Sequence, residues 1–257
     1  MKIICVIPAR YGSSRFPGKP LADIAGSPMI EWVYRRAKAV PEFNRVIVAT
    51  DDDRIRQTVE SFGGEAVMTP ADLASGTDRV AFLAEKIKAG IFVNLQGDEP
   101  LVTPAVLKAL VEPFSDPDVL MTTPVSKIDD PSDLTDANKA RVIIDHNGDA
   151  LYFSRAAIPI LRDVKDIRMW PESHIFYKHI GIYAYRRSFL MQLTRMPVSS
   201  LEMAEKLEQL RVLENGYRIR TVATDYKAHS VDTPEDLDRI NREVGEKKIT
   251  MEVSNEN

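Results

Sequence analysis

Through the first half of the chain, apolar runs of strand length alternate with stretches of helical period, the pattern of a parallel sheet built from βαβ units. Ile3–Ile7 predicts a buried strand, and a Gly/Pro/Arg loop follows it. Ser27-Pro28 predicts the start of a helix whose Ile30, Val33, Tyr34 and Ala37 share one face. Arg45–Thr50, Glu65–Thr69 and Ile91–Gln96 predict further strands. Between the first two of these, Ile55, Val59 and Phe62 form a helical stripe that stops at Gly63-Gly64, where a left-handed cap residue is wanted. Ser75-Gly76-Thr77-Asp78 has capping-box spacing ahead of Val80, Leu83, Ala84 and Ile87. Thr103-Pro104 and Thr233-Pro234 repeat the cap-then-proline start of Ser27-Pro28.

The second half is less regular. Asn147-Gly148, between apolar runs in Val142–Phe153, is the strongest short hairpin signal in the chain. Ala156–Phe176 keeps no clean period and predicts an excursion over the surface or toward a second subunit. Tyr177–Tyr185 predicts a strand with Ile180, Ile182 and Ala184 on a core face. Its other face carries His179, Gly181 and Tyr183, which read as the wall of a site. Ser199 with Glu202 predicts the cap of one long helix through Leu201, Ala204, Leu207, Leu210 and Leu213, ending at Asn215-Gly216. A strand and a last helix, Glu235–Val244, follow. The whole predicts one α/β domain over residues 1–245 with a loose polar tail at 246–257.

Composition excludes several classes. With 34 Lys+Arg against 38 Asp+Glu, the net charge of -4 argues against a general nucleic-acid binder. Ile3–Ile7 is too short for a membrane span and shorter than the hydrophobic part of a secretory signal, so no membrane insertion is expected. A single cysteine, Cys5, excludes a disulfide framework or a cysteine-rich metal site and points to the reducing cytoplasm. Local charge says more: Met1 to Ala22 holds Lys2, Arg10, Arg15 and Lys19 and no acidic residue.

Three of those cations lie in the loop after the first strand, Pro8-Ala9-Arg10-Tyr11-Gly12-Ser13-Ser14-Arg15-Phe16-Pro17-Gly18-Lys19-Pro20. Glycines let a backbone approach a ligand closely, and clustered cations suit a polyphosphate. The alternative is a solvated basic loop; position favours the ligand, because open parallel sheets bind ligands beyond the carboxyl ends of their strands. The loop is not a P-loop, since five residues separate Gly12 from Gly18 and Pro20 stands where a magnesium-binding hydroxyl belongs. At the same edge Gln96-Gly97-Asp98-Glu99-Pro100 delivers an acidic pair into a turn. Asp98 is a candidate for the divalent cation that nucleotidyl transfer needs, against the simpler reading of a turn. Asp232, just ahead of the Thr233 cap, is a second carboxylate that need not serve the helix. His179, with Gly181 and Tyr183, suits a polar small-molecule pocket or a satisfied structural role; no second His or Cys stands at metal-ligand spacing. No Gly-x-Ser-x-Gly elbow is present, and in-line displacement needs none.

Seven segments together resemble the 3-deoxy-manno-octulosonate (Kdo) cytidylyltransferase, or CMP-Kdo synthetase, family. They are Ile7–Leu21, Ser75–Arg79, Asn94–Pro100, Ala150–Arg155, His179–Tyr183, Leu207–Arg211 and Val231–Asp236, in the family's order from the N-terminus to the last helix. The resemblance implies a Rossmann-like mixed sheet of the nucleotide-diphospho-sugar transferase type, with an irregular sugar-side and dimerisation region over about 125–195. It implies an enzyme that activates Kdo with CTP and Mg²⁺, releasing CMP-Kdo and pyrophosphate for lipopolysaccharide biosynthesis, and a homodimer. By motif, Arg10, Ser13, Arg15 and Lys19 would hold the CTP phosphates, with Ser75, Gly76 and Arg79 near the nucleotide. Asp98 and Asp232 would bind Mg²⁺, and Lys19, Asp98 and Asp232 would form the catalytic set. Gln96, His179, Tyr183, Glu208 and Gln209 would face the sugar acid. Leu73-Ala74 departs from the family, where many members carry a His and a Gln or Glu. Some related enzymes with small or apolar residues there use an 8-amino-8-deoxy analogue of Kdo, which is the alternative substrate; a non-catalytic nucleotide sensor is the alternative of a different class.

Overall fold

A computed structural model describes residues 1–12 and 16–251 of the chain. They fall into two compact units, Met1–Lys108 with Ala228–Asn257, and Ala109–Lys227.

In the first unit β1 (Ile3–Ala9), β2 (Arg45–Thr50), β3 (Ala66–Met68) and β4 (Ile91–Asn94) are all parallel, in the order β3-β2-β1-β4. Strands buried on both faces read as continuous apolar runs, which is why the pattern finds them; Cys5, Val6 and Ile7 at the centre of β1 are fully buried. The connecting helices are α1 (Met29–Lys38), α2 (Asp53–Ser61) and α3 (Gly76–Lys86). Each buries its predicted stripe: Ile30, Val33 and Ala37 in α1, Ile55 and Val59 in α2, Val80, Leu83 and Ala84 in α3. Ser75 and Asp78 close a reciprocal capping box at the start of α3.

Four starts and stops differ from expectation. Ser27-Pro28 does not open α1 by the cap-then-proline device; these residues pair with Asp23-Ile24 as a two-residue ribbon, and Pro28 is itself the cap. β1 runs on to Ala9 and β4 stops at Asn94, before the turn that carries Asp98. The last helix, Pro234–Lys247, outruns the predicted boundary, and beyond it Ile249 and Met251 pack on the cluster of Ile24, Trp32, Val231 and Ile240, so the expected tail is docked at least to residue 251.

In the second unit β5 (Met121–Lys127) is the organiser. It pairs antiparallel with β8 (Tyr177–His179) and β9 (Tyr183–Arg186) along one edge, and parallel with β10 (Arg220–Thr224) along the other. β8 in turn pairs with β6 (Arg141–Ile144), which forms the predicted Asn147-Gly148 hairpin with β7 (Ala150–Ser154). Asp145 Oδ1 accepts the backbone N–H groups of Asn147 and Asp149 at 2.8 Å each and fixes that turn. The continuous strand expected at Tyr177–Tyr185 is interrupted at Ile180–Ile182, whose carbonyls turn to the Thr123 hydroxyl. The long helix expected after Ser199 is two helices, α4 (Ser200–Glu205) and α5 (Leu210–Glu214), because Lys206 takes a left-handed conformation at φ 54°. Residues 156–176 fold back over their own small cluster, with Ala157, Leu161, Val164 and Ile167 packed against Trp170 and Phe176. No described helix is long and apolar enough to cross a membrane.

Candidate active site

The end of β1 releases the basic loop, and the end of β4 releases Gln96-Gly97-Asp98; the two strands are hydrogen-bonded neighbours, so the two loops emerge side by side. Gly97 is required by that approach, since a Cβ there would lie 3.0 Å from the Pro8 carbonyl oxygen. Gly18 sits at φ 74°, with its N–H donated to the Tyr11 carbonyl at 2.8 Å, and this left-handed turn feeds Lys19 into the short helical turn Lys19–Leu21. A cavity of about 190 Å³ lies there, lined by Arg10, Gly12, Lys19, Gln96, Gly97 and Asp98.

The centre of the site is one ammonium between two carboxylates. Lys19 Nζ lies 2.7 Å from Asp98 Oδ2 and 3.3 Å from Asp232 Oδ1. Their side chains are 14%, 25% and 40% exposed, so the charges stand at an open edge rather than in the core. Asp232 comes from the other end of the chain, and two features place it. The Val231 N–H donates to the Asp98 carbonyl at 3.0 Å, and the Asp232 N–H donates to Asp236 Oδ2 at 3.0 Å within the Thr233/Asp236 capping box. A point that holds an ammonium between two acidic oxygens suits a hard divalent cation as well. Mg²⁺ characteristically takes one or two carboxylates and completes its shell with water and phosphate. Asp98 and Asp232 fit that pattern, and among the described residues no group of three or more His, Cys, Asp or Glu side chains offers a full protein cage.

Around this centre the predicted nucleotide residues take different positions. The Arg10 guanidinium donates to the Leu73 carbonyl and so ties the departing Leu73-Ala74 segment to the basic loop. Ser75 and Gly76 form the start of α3, and Gly76 stands close to Pro8 and Asn94. Gln96 Nε2 donates to Asn94 Oδ1 at 3.1 Å, and Asn94 Nδ2 to Thr77 Oγ1 at 3.4 Å, a chain linking the Asp98 turn to α3. Arg79 is fully buried, paired with Asp51 at 2.6 Å and bonded to Thr69. Burial lowers its pKa, against the opposing pull of Asp51. Arg79 therefore braces the turn from within instead of presenting its charge to the cavity. Ser13 and Arg15 lie outside the described residues.

The second unit gathers His179, Tyr183 and Gln209. The His179 ring lies 5.4 Å from Tyr183 and edge-on to Phe153 at 5.1 Å. Its Nε2 is 2.9 Å from Thr123 Oγ1, and the carbonyls of Ile180 and Ile182, at 3.2 and 2.9 Å, claim that hydroxyl's single hydrogen. Carbonyls only accept, so Nε2–H is the donor to Thr123 and Nδ1 carries the lone pair. Burial pushes the His179 pKa down to about 3, which keeps the ring neutral. Burial, with Glu208 adding to it, raises the Tyr183 phenol well above its ordinary value, and the phenol donates to Gln209 Oε1 at 3.2 Å. Gln209 Nε2 is buried with no hydrogen-bond partner, a donor free to take one.

Thr123, Asn94 and Asp51 were not among the expected site residues. Thr123 stood in a strand interrupted by Pro124, which reads against strand; Asn94 and Asp51 lay at strand ends, where a polar residue is ordinary.

A phosphate-suited loop and a convergent carboxylate pair at the carboxyl edge of a 3-2-1-4 parallel sheet, together with the neutral cluster of His179, Tyr183 and Gln209, define a nucleotidyltransferase. The sequence model for the cytidylyltransferase family matches residues 4–219, and the chain belongs to that family. It is 50% identical over 242 residues, 94% of both chains, to the 3-deoxy-manno-octulosonate cytidylyltransferase of Solibacter usitatus. To that of Syntrophotalea carbinolica it is 51% identical over 243 residues, 93% of this chain and 97% of the relative. A solved structure of CMP:2-keto-3-deoxy-manno-octonic acid synthetase complexed with CTP matches at TM-score 0.90 and 42% identity, over 96% of this chain and 100% of that one. The α/β mixed-sheet fold expected from the sequence is thus the fold of a nucleotide-sugar transferase.

Proposed function

We propose that the enzyme transfers CMP from CTP to the anomeric hydroxyl of Kdo, giving CMP-Kdo and pyrophosphate in a Mg²⁺-dependent reaction that feeds lipopolysaccharide assembly in the cytoplasm. The observation that carries this reading is the meeting of Lys19, Asp98 and Asp232 at one point beside the basic loop. In the reaction the sugar hydroxyl oxygen bonds to the α-phosphorus, the bond from that phosphorus to the bridging oxygen of pyrophosphate breaks, and the hydroxyl proton leaves. Negative charge spreads over the phosphates, and preorganised cations aimed at it are the main catalytic resource. Asp98 and Asp232 would hold Mg²⁺, which would offset phosphate charge and make the sugar hydroxyl more acidic. Lys19 and Arg10 face the triphosphate. Asp98 and Asp232 act as ligands rather than bases, so no side-chain base is required.

The neutral His179, the Tyr183 phenol, Glu208 and Gln209 bind the sugar acid, a role supported by the unpartnered Gln209 donor. A homodimer accords with exposed Leu151, Ile160 and Ile175 in the second unit. The 8-amino-8-deoxy analogue is the second reading, favoured by Leu73-Ala74, which Arg10 tethers next to the nucleotide turn. The test is pyrophosphate release with CTP, UTP or ATP and each sugar, with and without Mg²⁺. Release is expected only with CTP, Mg²⁺ and one of the two sugars. CTP binding without product from either sugar would convert the enzyme into a nucleotide sensor.

A further inference from the structure

We infer that Glu99 is a positioning residue that, through Ser230, sets the separation of the two metal-binding carboxylates. The inference rests on the reading of Asp98 and Asp232 as cation ligands and deepens it. Consecutive residues of the acidic turn face opposite ways. Asp98 lines the cavity, whereas Glu99 is only 4% exposed and its carboxylate accepts a hydrogen bond from the Ser230 hydroxyl. A buried carboxylate costs folding free energy unless it is well hydrogen-bonded, and a turn alone does not call for one. What this one does is join two loops from distant parts of the chain.

The join is a double clasp. Glu99 takes the Ser230 hydroxyl, while the neighbouring Asp98 carbonyl takes the Val231 N–H at 3.0 Å, so residues 98 and 99 are bonded to 230 and 231 immediately ahead of Asp232. Val231 is fully buried among Ile24, Met29, Trp32 and Ile240, which anchors the clasp in the core. A third link, the Lys19 ammonium shared by Asp98 and Asp232, is of another kind. A cation seated between those carboxylates would take over the charge that Lys19 supplies and would free Lys19 for phosphate. The clasp, with the Asp236 bond to the Asp232 N–H, would then keep the carboxylates in register. Partners that orient metal ligands from behind are worth about 10- to 100-fold in metal affinity or activity.

The test measures Mn²⁺ binding by electron paramagnetic resonance in the presence of CTP, together with kcat and KM at several Mg²⁺ concentrations. Wild type, Glu99→Ala, Glu99→Gln, Ser230→Ala, Ser230→Thr and Asp98→Asn are compared. Glu99→Ala and Ser230→Ala should each weaken Mn²⁺ by about 10- to 100-fold, with kcat recovered in part by raising Mg²⁺. Glu99→Gln and Ser230→Thr, which keep an acceptor and a hydroxyl, should restore most of the affinity. If Glu99→Ala does not fold, the Ser230 pair decides the matter. Wild-type Mn²⁺ affinity in Glu99→Ala or Ser230→Ala overturns the inference, and so does a Glu99→Gln as impaired as Glu99→Ala. If Asp98→Asn binds Mn²⁺ like wild type, the ligand assignment falls and this inference with it. Lost binding in Asp98→Asn beside unchanged binding in Glu99→Ala removes the inference alone.

Discussion

In the first unit Lys19, Asp98 and Asp232 meet at a partly solvated edge, with both carboxylates within 3.3 Å of the ammonium. In the second unit His179 and Tyr183 are enclosed by Phe153, Thr123 and Gln209, and burial holds both neutral. Each region suits one kind of ligand. Polyphosphate and a divalent cation need counter-charge that can rearrange, which an open edge allows, since solvent moderates the cost of moving charges apart. A polyhydroxylated sugar needs directed hydrogen bonds from groups that do not ionise, which a buried aromatic pocket supplies. On the proposed function, the two environments would divide the work of a nucleotidyltransferase between electrostatics and recognition.

That division is broken most severely by removing a cation ligand. Asp98→Asn should lower kcat by at least about a thousandfold while circular dichroism and the thermal midpoint stay near wild type; near-normal turnover would reassign Asp98 to a turn. Lys19→Ala should cost about 3 kcal/mol of transition-state stabilisation, two orders of magnitude or more in kcat/KM, and a loss under tenfold would remove it from the charge-neutralising set. Tyr183→Phe deletes the donor to Gln209. It should raise the sugar KM by about tenfold and leave the CTP KM unchanged, and a shift in the CTP KM instead would blur the contrast between the regions.

A last effect is on stability and concerns His179. Its folded pKa is about 3 against 6.5 for an unperturbed ring, so below pH 6.5 the unfolded chain takes up a proton that the folded chain refuses. Its contribution is complete above pH 6.5 and declines as pH falls toward 3, by about 2 kcal/mol between pH 7 and 5. Urea unfolding at the two pH values should show this slope in wild type and lose it in His179→Gln; equal slopes would mean that His179 ionises in the fold.

Much of the first unit was legible because parallel strands covered on both faces leave uninterrupted apolar runs, as in Ile3–Ala9 and Arg45–Thr50. The acidic turn and the basic loop were readable for a related reason: the strands before them end clearly, and residues just past a parallel strand's last apolar position must lie at the carboxyl edge. That Asp232 joins Asp98 was not readable from spacing; it came from the family resemblance, and its physical cause is the pairing of Asp98 with Val231. The second unit was harder. Met121–Lys127 contains Pro124, which argues against a strand, yet this strand organises the unit and carries Thr123. The stripe from Leu201 to Leu213 kept helical period through a left-handed Lys206, because apolar spacing does not register one residue's backbone reversal. That reversal ends α4 and leaves Glu208 and Gln209 in the turn ahead of α5, close to Tyr183.

Whether Asp98 and Asp232 together hold a divalent cation beside the phosphate loop is decided by anomalous difference density from crystals grown with Mn²⁺ and CTP. The expected result is a peak coordinated by both carboxylates and by phosphate oxygen, with Lys19 Nζ no longer between them. A peak that touches neither aspartate, or Lys19 still bridging both in a CTP complex, would contradict it.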